Sequence, residues 1–350
     1  MLAPVLHILP LATILRERLL PIPGKVKVHL NQKVAATDVI AETAWAREHV
    51  LLDVARTLGI SVEAANRLIR CKVGERLSQG SIVAEDGIIR RTIRVPREGR
   101  VVAVGGGKIL LEVGNTNLEL RAGIPGIITQ IIPDRGAVIQ TAGALIQGVW
   151  GNGRVDASMM YSLIDKPDDV LTVDRLDASL RGLVILAGQC RDAEVLQAAA
   201  ELPLRGLILS SLLPLLIPTA LQMRYPITVT DGLGHMPMNI AAFKLLSTNC
   251  KREAAVNAEP YDRYKGTRPE VIVPLPVSQD PPLPRDEETF VPGQQVRMRR
   301  APHAGEIGTL VNLRPGLTTL PSGLRATAGE VRLYTGEQIL VPLINLEVVG

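Results

Sequence analysis

The chain has 350 residues, enough for two or three domains, and its 46% hydrophobic share can build a real core. Aromatic residues are only 3%, so Val, Ile, Leu and Ala must fill that core, and a surface that works by base stacking is disfavoured for want of rings. The net charge of +4 and a pI near 9.0 are mildly basic, compatible with nucleic acid but far from a polybasic footprint.

Cys71, Cys190 and Cys250 are widely separated, with no CxxC pair and no Cys/His spacing suited to zinc. That pattern points to reduced thiols in a cytoplasmic protein, with no metal and no cofactor. Residues 1–15 are uncharged, but Pro4 and Pro10 interrupt them, and Arg16 and Arg18 follow the apolar run instead of preceding it, a poor signal peptide. Residues 206–223 are also uncharged. Ser210, Ser211, Pro214 and Pro218 suit a strand, loop and helix in a core, so no membrane span is expected.

In chain order, residues 1–20 form an apolar leader, helix or strand, docked on the body. Pro21–Gly24 turns the chain into the alternating run Val26, Val28, Leu30. Residues 30–42 (LNQKVAATDVIAE) recur without a gap, 43 positions later, as 73–85 (VGERLSQGSIVAE). Apolar residues match at Leu30/Val73, Val34/Leu77 and Val39-Ile40/Ile82-Val83, which predicts repeated strand–turn–strand hairpins. Between the copies, Val50, Leu51, Val54, Ala55 and Leu58 predict a helix ended by Gly59, and Ser61 predicts the cap of a second one. VARTLGISVEAANRLI resembles a helix-turn-helix. It reads either as a recognition helix or as a helical insertion, and the second repeat directly behind it favours the insertion.

VGxxLxxGxIVAE followed by VPxxGRVV resembles the barrel-sandwich hybrid of biotinyl/lipoyl domains and their non-carrier relatives. Carriers in that family place a modified Lys at the hairpin tip. The tip here is Asp86-Gly87-Ile88-Ile89-Arg90-Arg91, without a Lys, and a guanidinium that stays protonated cannot be acylated. The basic, apolar tip leaves Arg90 and Arg91 as candidate partner contacts. Gly105-Gly106-Gly107-Lys108 lacks both the first Gly and the Ser/Thr of a phosphate loop and predicts a tight turn between strands. Pro133-Asp134-Arg135-Gly136 is a further turn between strands. Residues 143–153 are glycine-rich and suit close backbone approach, either as barrel closure or as a contact at 147–152.

From 180 to 258 the pattern becomes α/β. Strands are expected at 183–187, 206–209 and 227–230, and helices at 193–201, 213–222 and 237–246, the last with Pro237 at its first position. In a small parallel sheet, ligands sit beyond the carboxyl ends of the strands. That rule selects Gln189, Ser210, Ser211, Asp231, Gly232, Gly234 and His235 as a candidate crevice, with Asp231 and His235 as a conceivable acid/base pair. No nucleophile elbow or metal cluster accompanies them, and no catalytic residue is assigned. Residues 270–277 suit an edge strand, and 278–288 (SQDPPLPRDEE) a Pro-rich linker.

FVPGQQVRMRRAPHAGEIGTLVNL resembles the KOW motif of SH3-like barrels in transcription and ribosomal proteins. The resemblance implies a first strand after Gly293 with Val296 and Met298 inward, turn glycines at Gly305 and Gly308, and a second strand at 309–311. Arg297, Arg299, Arg300 and His303 then cluster on one hairpin, enough for a few phosphate contacts. Together with RPEVIVP, TDGLGHMPMN and AGALIQGVWGNG, these modules resemble a bacterial family without an assigned activity.

The expected architecture is multi-domain α+β. A barrel-sandwich-hybrid-like β domain spans 1–160 with a helical insertion at 44–70. An α/β domain spans 161–277, a linker 278–288 and an SH3-like barrel 289–350. The expected function is a non-catalytic binding or scaffold protein with a protein partner. The alternatives are RNA or DNA binding through the C-terminal barrel, and a small-ligand sensor or enzyme using the α/β crevice.

Overall fold

Alternating apolar residues and frequent turns give a chain that is 46% strand and 14% helix, so the architecture is β-rich, with several separate sheets. The computed structural model describes residues 2–86, 91–262, 266–279 and 281–350, apart from the side chains of 45–47 and 115–116. The chain divides into two compact units. One comprises Met1–Leu19, Val28–Ile40 and Arg121–Gly350, and the other Leu20–Lys27 and Ala41–Leu120.

The sequence repeat is a repeat of hydrogen bonds. In the first copy Gln32 N donates to His29 O (3.2 Å) and Asp38 N to Ala35 O (3.1 Å). In the second, Glu75 N donates to Lys72 O (3.1 Å) and Ser81 N to Ser78 O (3.1 Å). Each copy then takes a later strand of its own unit in the same way. Asn31 N donates to Ile128 O (2.8 Å) and Ile128 N to Gln32 O (2.9 Å); Gly74 N donates to Val101 O (2.8 Å) and Val101 N to Glu75 O (2.8 Å). The turn needs a left-handed residue, supplied by Asn31 (φ 64°) and Gly74 (φ 91°), the two residue types that adopt it most cheaply. Where the second copy has only residues 86–91 before its next strand, the first has 43–118. One copy is therefore nested in the connection of the other.

The smaller unit packs Val54, Leu58, Leu77, Val83, Ile93, Val101, Ile109 and Leu111 into one core. The strand Val39–Asp53 extends through residues expected to be helical, because it is held in the sheet beside Lys108–Arg121. Helix formation waits until Asp53, whose carboxylate caps Arg56 N at 3.0 Å. Gly59 (φ 69°) closes Val54–Leu58, and Ser61 caps Val62–Leu68. The glycine run is the turn of the hairpin Gly99–Gly105/Lys108–Arg121, and it docks on both helices: Ala55 N donates to Gly107 O (3.0 Å), and Gly107 N donates to Asn66 Oδ1 (2.8 Å).

In the larger unit, Val155–Ser162, Val184–Leu186, Gly206–Leu212 and Ile227–Leu233 run parallel. Val184–Leu186, Gly206–Leu212 and, up to Gly232, Ile227–Leu233 are buried on both faces, as inner parallel strands require, whereas Val155–Ser162 is only partly buried. Ala193–Glu201 and Ile217–Gln222 cover one face, and Ile240–Thr248 the other. Residues 206–223 are thus strand, a short 3₁₀ turn at Pro214–Leu216 and helix. Among the described residues no helix is long and apolar enough to cross a membrane. The last helix begins at Ile240 rather than at Pro237, because the Asn239 side chain caps it by accepting from Ala241 N at 2.7 Å. Glu270–Pro274 is no edge strand: it lies between Glu253–Asn257 and Gly136–Gln147 and carries the sheet onward.

A second, seven-stranded sheet holds the C-terminal residues. Gln295–Met298 pairs with Ile307–Leu313 and with Leu346–Val349, and the N-terminal strand Leu2–Leu6 adds on parallel to Leu346–Val349. The apolar leader is therefore strand. Its second half, Ile8–Leu19, pairs along Gly136–Gln147 in the large sheet.

Gly99 and Gly126 occupy equivalent places in the two copies, and each lies against a neighbouring backbone. A Cβ would come within 2.5 Å of Glu112 O at Gly99 and within 2.3 Å of Gln140 O at Gly126. Gly99→Ala and Gly126→Ala should each lower stability by about 1–3 kcal/mol, by overpacking. Urea midpoints measure this, and unchanged midpoints would contradict the close approach.

Candidate functional site

The carboxyl ends of the parallel strands bring together most of the residues expected there. Ser210 and Ser211 end Gly206–Leu212 fully buried, and Asp231 near the end of Ile227–Leu233 is 5% exposed. Gln189 is buried beside them on the strand Gln189–Cys190, which pairs with Ser211 and Leu212.

These groups are bonded to the chain itself. Ser210 Oγ donates to Met236 O (3.1 Å), and Met236 N donates to Ser211 Oγ (3.1 Å). Asn239 N donates to Asp231 Oδ1 (3.1 Å). Gln189 Nε2 donates to Asp168 O (3.2 Å), and Arg191 donates to Gln189 Oε1 (2.8 Å). The loop from Gly232 to Asn239 is thus laced down over the strand ends. Met236 fills the space that Cβ atoms would need at Gly232 and Gly305, each within 2.5 Å of its sulfur. Gly234 (φ 120°) makes the turn, with its N–H on Leu212 O (2.9 Å). His235 is exposed on this loop. No hydrogen bond links it to Asp231 among the described residues, so the expected acid/base pair does not assemble.

Burial pushes the Asp231 carboxyl up to about 6 from 3.8, against the opposing pull of Thr230, Asn239 and Arg297. The geometry gives an independent reason for a proton there. The Thr230 hydroxyl lies 3.1 Å from Leu209 O and 2.7 Å from Asp231 Oδ2, yet it has one hydrogen to give. A protonated Asp231 donates to Thr230, which frees the hydroxyl for Leu209.

Arg297, expected on an exposed basic hairpin, is buried instead. It alternates with Val296 and Met298, which face the terminal core, so its side chain leaves by the opposite face. There it donates to the Asp231 carbonyl and, at 2.7 Å, to Glu347 Oε1. Glu347 is its direct cross-strand partner and is only 1% exposed. Its second oxygen accepts from Arg268 at 2.9 Å. Burial alone would raise the Glu347 carboxyl, but Arg268 and Arg297 outweigh it and hold the group below its usual range. Arg268 also lies 4.8 Å from the ring centre of Tyr261.

The remaining basic residues are distributed differently. Arg299 and Arg300 are exposed, and His303 is half-buried 3.1 Å from Glu306. Arg91 is exposed, while Arg90 lies outside the described residues. In the glycine-rich stretch, Asn152 Nδ2 donates to Tyr225 O (2.9 Å), and Gln147 Oε1 accepts from His7 N (3.1 Å). A Cβ at Gly148 or Gly151 would strike Val229 O or Ala258 O, so this stretch closes the sheet.

Glu347 had a signal in the sequence, whereas Arg268, between Thr267 and Pro269, had none. Glu347 stands alone among apolar residues in LEVV, and Arg297 stands between Val296 and Met298. Two lone opposite charges in apolar strands indicate a buried pair. No family model matches the chain, and no curated protein matches it.

The two buried carboxyls carry opposite pH signatures. The raised Asp231 costs stability as pH climbs from 3.8 through about 6, because the folded state keeps a proton that the unfolded state has lost. Asp231→Asn imitates the protonated form. It should remove that slope and gain roughly 3 kcal/mol on the wild type above pH 6, seen in urea denaturation across pH. Glu347→Gln strands two buried guanidinium groups and should cost about 3–5 kcal/mol at neutral pH. The difference should shrink on acidification below 4.5, as the wild-type Glu347 takes up its proton.

Proposed function

We propose that this chain is a non-catalytic binding protein that presents β-rich modules to a protein partner. The observation that carries the reading is the carboxyl end of the parallel sheet. The positions where an enzyme of this layout would hold its substrate bond instead to the chain's own loop and, through Arg297, to its own terminal sheet. A carboxyl buried at the strand end and bonded to Thr230 and to the Asn239 amide is arranged for packing.

The finer architecture belongs to the same reading. The duplicated turns and their shared pairing support barrel-sandwich hybrids without a carrier Lys. The Gln295–Met298/Ile307–Leu313 hairpin, with Val296 and Met298 buried, supports an SH3-like barrel of the KOW type. Both kinds of module serve as docking surfaces in other proteins.

A second reading, nucleic acid held by the terminal hairpin, is favoured by the exposure of Arg299 and Arg300. Two cations give a small salt dependence, and the burial of Arg297 removes a third.

A thermal-shift screen with nucleotides and organic anions tests the leading reading. A ligand at ~100 times its Kd adds about 2.7 kcal/mol and moves the midpoint by several degrees. The reading expects no shift with any of them. A shift that disappears in Ser210→Ala or Ser211→Ala would show that the crevice opens to a ligand, and the proposal would fail.

A further inference from the structure

Charge is divided unevenly between the two units. The smaller one holds 14 Lys and Arg against 10 Asp and Glu, and the larger 25 against 25, so the whole net charge of +4 resides in the nested unit. Within it, Arg76 and Arg100 stand directly opposite each other on antiparallel strands. Both are exposed, and neither guanidinium has a hydrogen-bond or carboxylate partner among the described residues. Like charges at a directly opposed pair repel. Three other arginines of this unit are engaged: Arg70 with Glu85, Arg97 with Glu48, and Arg94 with Gly80 O.

The duplicated fold supplies its own control. The row equivalent to Arg76–Arg100 in the first copy is Lys33–Ile127, paired in the same register. The turn-and-strand geometry therefore does not require Arg at position 100, since an isoleucine serves the other copy. The second arginine is not required by the fold, and it stands in a row between Glu112 on one side and Arg76 on the other, with Arg76 lacking an acid opposite it.

The surroundings suit a polymer. The two side chains line a cleft of about 490 Å³ together with Gly99, Gly114, Glu98 and Glu112. Glu112 faces Arg100 across the inner strand pair, whereas Arg76 stands on Arg76–Leu77, the outermost strand, with no acid opposite it. The positive end of the row is thus at the open edge of the sheet. A chain of regularly spaced anions can enter there and continue over a unit that is positive as a whole. Scarce aromatic residues leave charge, not base stacking, as the means of attachment.

We infer that the nested unit binds the phosphate backbone of nucleic acid, without sequence preference, across Arg76 and Arg100. This rests on the reading of the chain as a binding protein and adds a partner at a site away from the parallel sheet. The two readings fail separately: this one at Arg76 and Arg100 with an oligonucleotide, the former in the crevice with small molecules.

The test is fluorescence anisotropy of the full chain with labelled single-stranded RNA and duplex DNA of mixed sequence. Salt is varied from about 50 to about 200 mM. Binding should weaken as salt rises. Arg76→Glu/Arg100→Glu should weaken it at least ~10-fold and reduce the log–log salt slope by about 1.4–1.8, the share of two phosphate contacts. Arg76→Lys/Arg100→Ile copies the row of the first copy, should fold normally by circular dichroism, and should also bind more weakly. Three results would overturn the inference. They are no binding at the lowest salt, binding lost only in Arg299→Glu/Arg300→Glu, and poly-glutamate bound as well as the oligonucleotides, which would make the partner an acidic protein.

Discussion

A buried carboxylate between two buried arginines governs the larger unit. Glu347 takes Arg297 on one oxygen and Arg268 on the other, and Arg297 goes on to the carbonyl of Asp231. Taking these charges out of water is expensive, and a well-packed apolar trio could be as stable. What the ionic row adds is register. Val296, Met298, Leu346 and Val348 face the terminal core, with Arg297 and Glu347 between them on the other face. A slip by one residue would push both charges into that core and expose the apolar set. The pairing of the last strand is therefore fixed by electrostatics as much as by packing.

The same row decides the character of the parallel-strand ends. Arg297 arrives there from the terminal sheet, and Met236 lies against Gly305 of that sheet and against Gly232 of the loop. The loop has little room to lift while these contacts hold. The two serines bond to the backbone of Met236, and the carboxyl of Asp231 accepts from the Asn239 amide and lies beside the Thr230 hydroxyl. A layout that often houses a ligand has become a joint between two sheets of one chain.

Much of this was legible in the sequence. The 43-residue repeat translates into hydrogen bonds at the same spacing, because a turn with one left-handed residue constrains its neighbours strongly. Continuous apolar runs located the parallel strands, and the proline and glycine placements located their turns. Three features were harder to read. Val50, Leu51 and Val54 fit a helical face, but pairing with a distant strand overrode the local pattern as far as Asp53. Pro237 suits the first turn of a helix, yet the bond from Asn239 N to Asp231 moved the start to Ile240. Arg297 looked like a member of an exposed cluster with Arg299 and Arg300, and only its opposition to Glu347, a pairing across 50 residues, shows that it turns inward. The opposition of Arg76 and Arg100 was hidden for the same reason: long-range register is not written in local composition.

Amide hydrogen exchange at Met236 and Asn239 tests the central claim most directly. Their N–H groups donate to Ser211 Oγ and Asp231 Oδ1 beneath the loop. If the strand ends are a closed joint, both amides exchange only with opening of the sheet itself, at a free energy close to that of global unfolding. Exchange at the rate of an exposed loop, while the amides of Gly206–Leu212 stay protected, would mean that the loop lifts by itself and the crevice is open to a ligand.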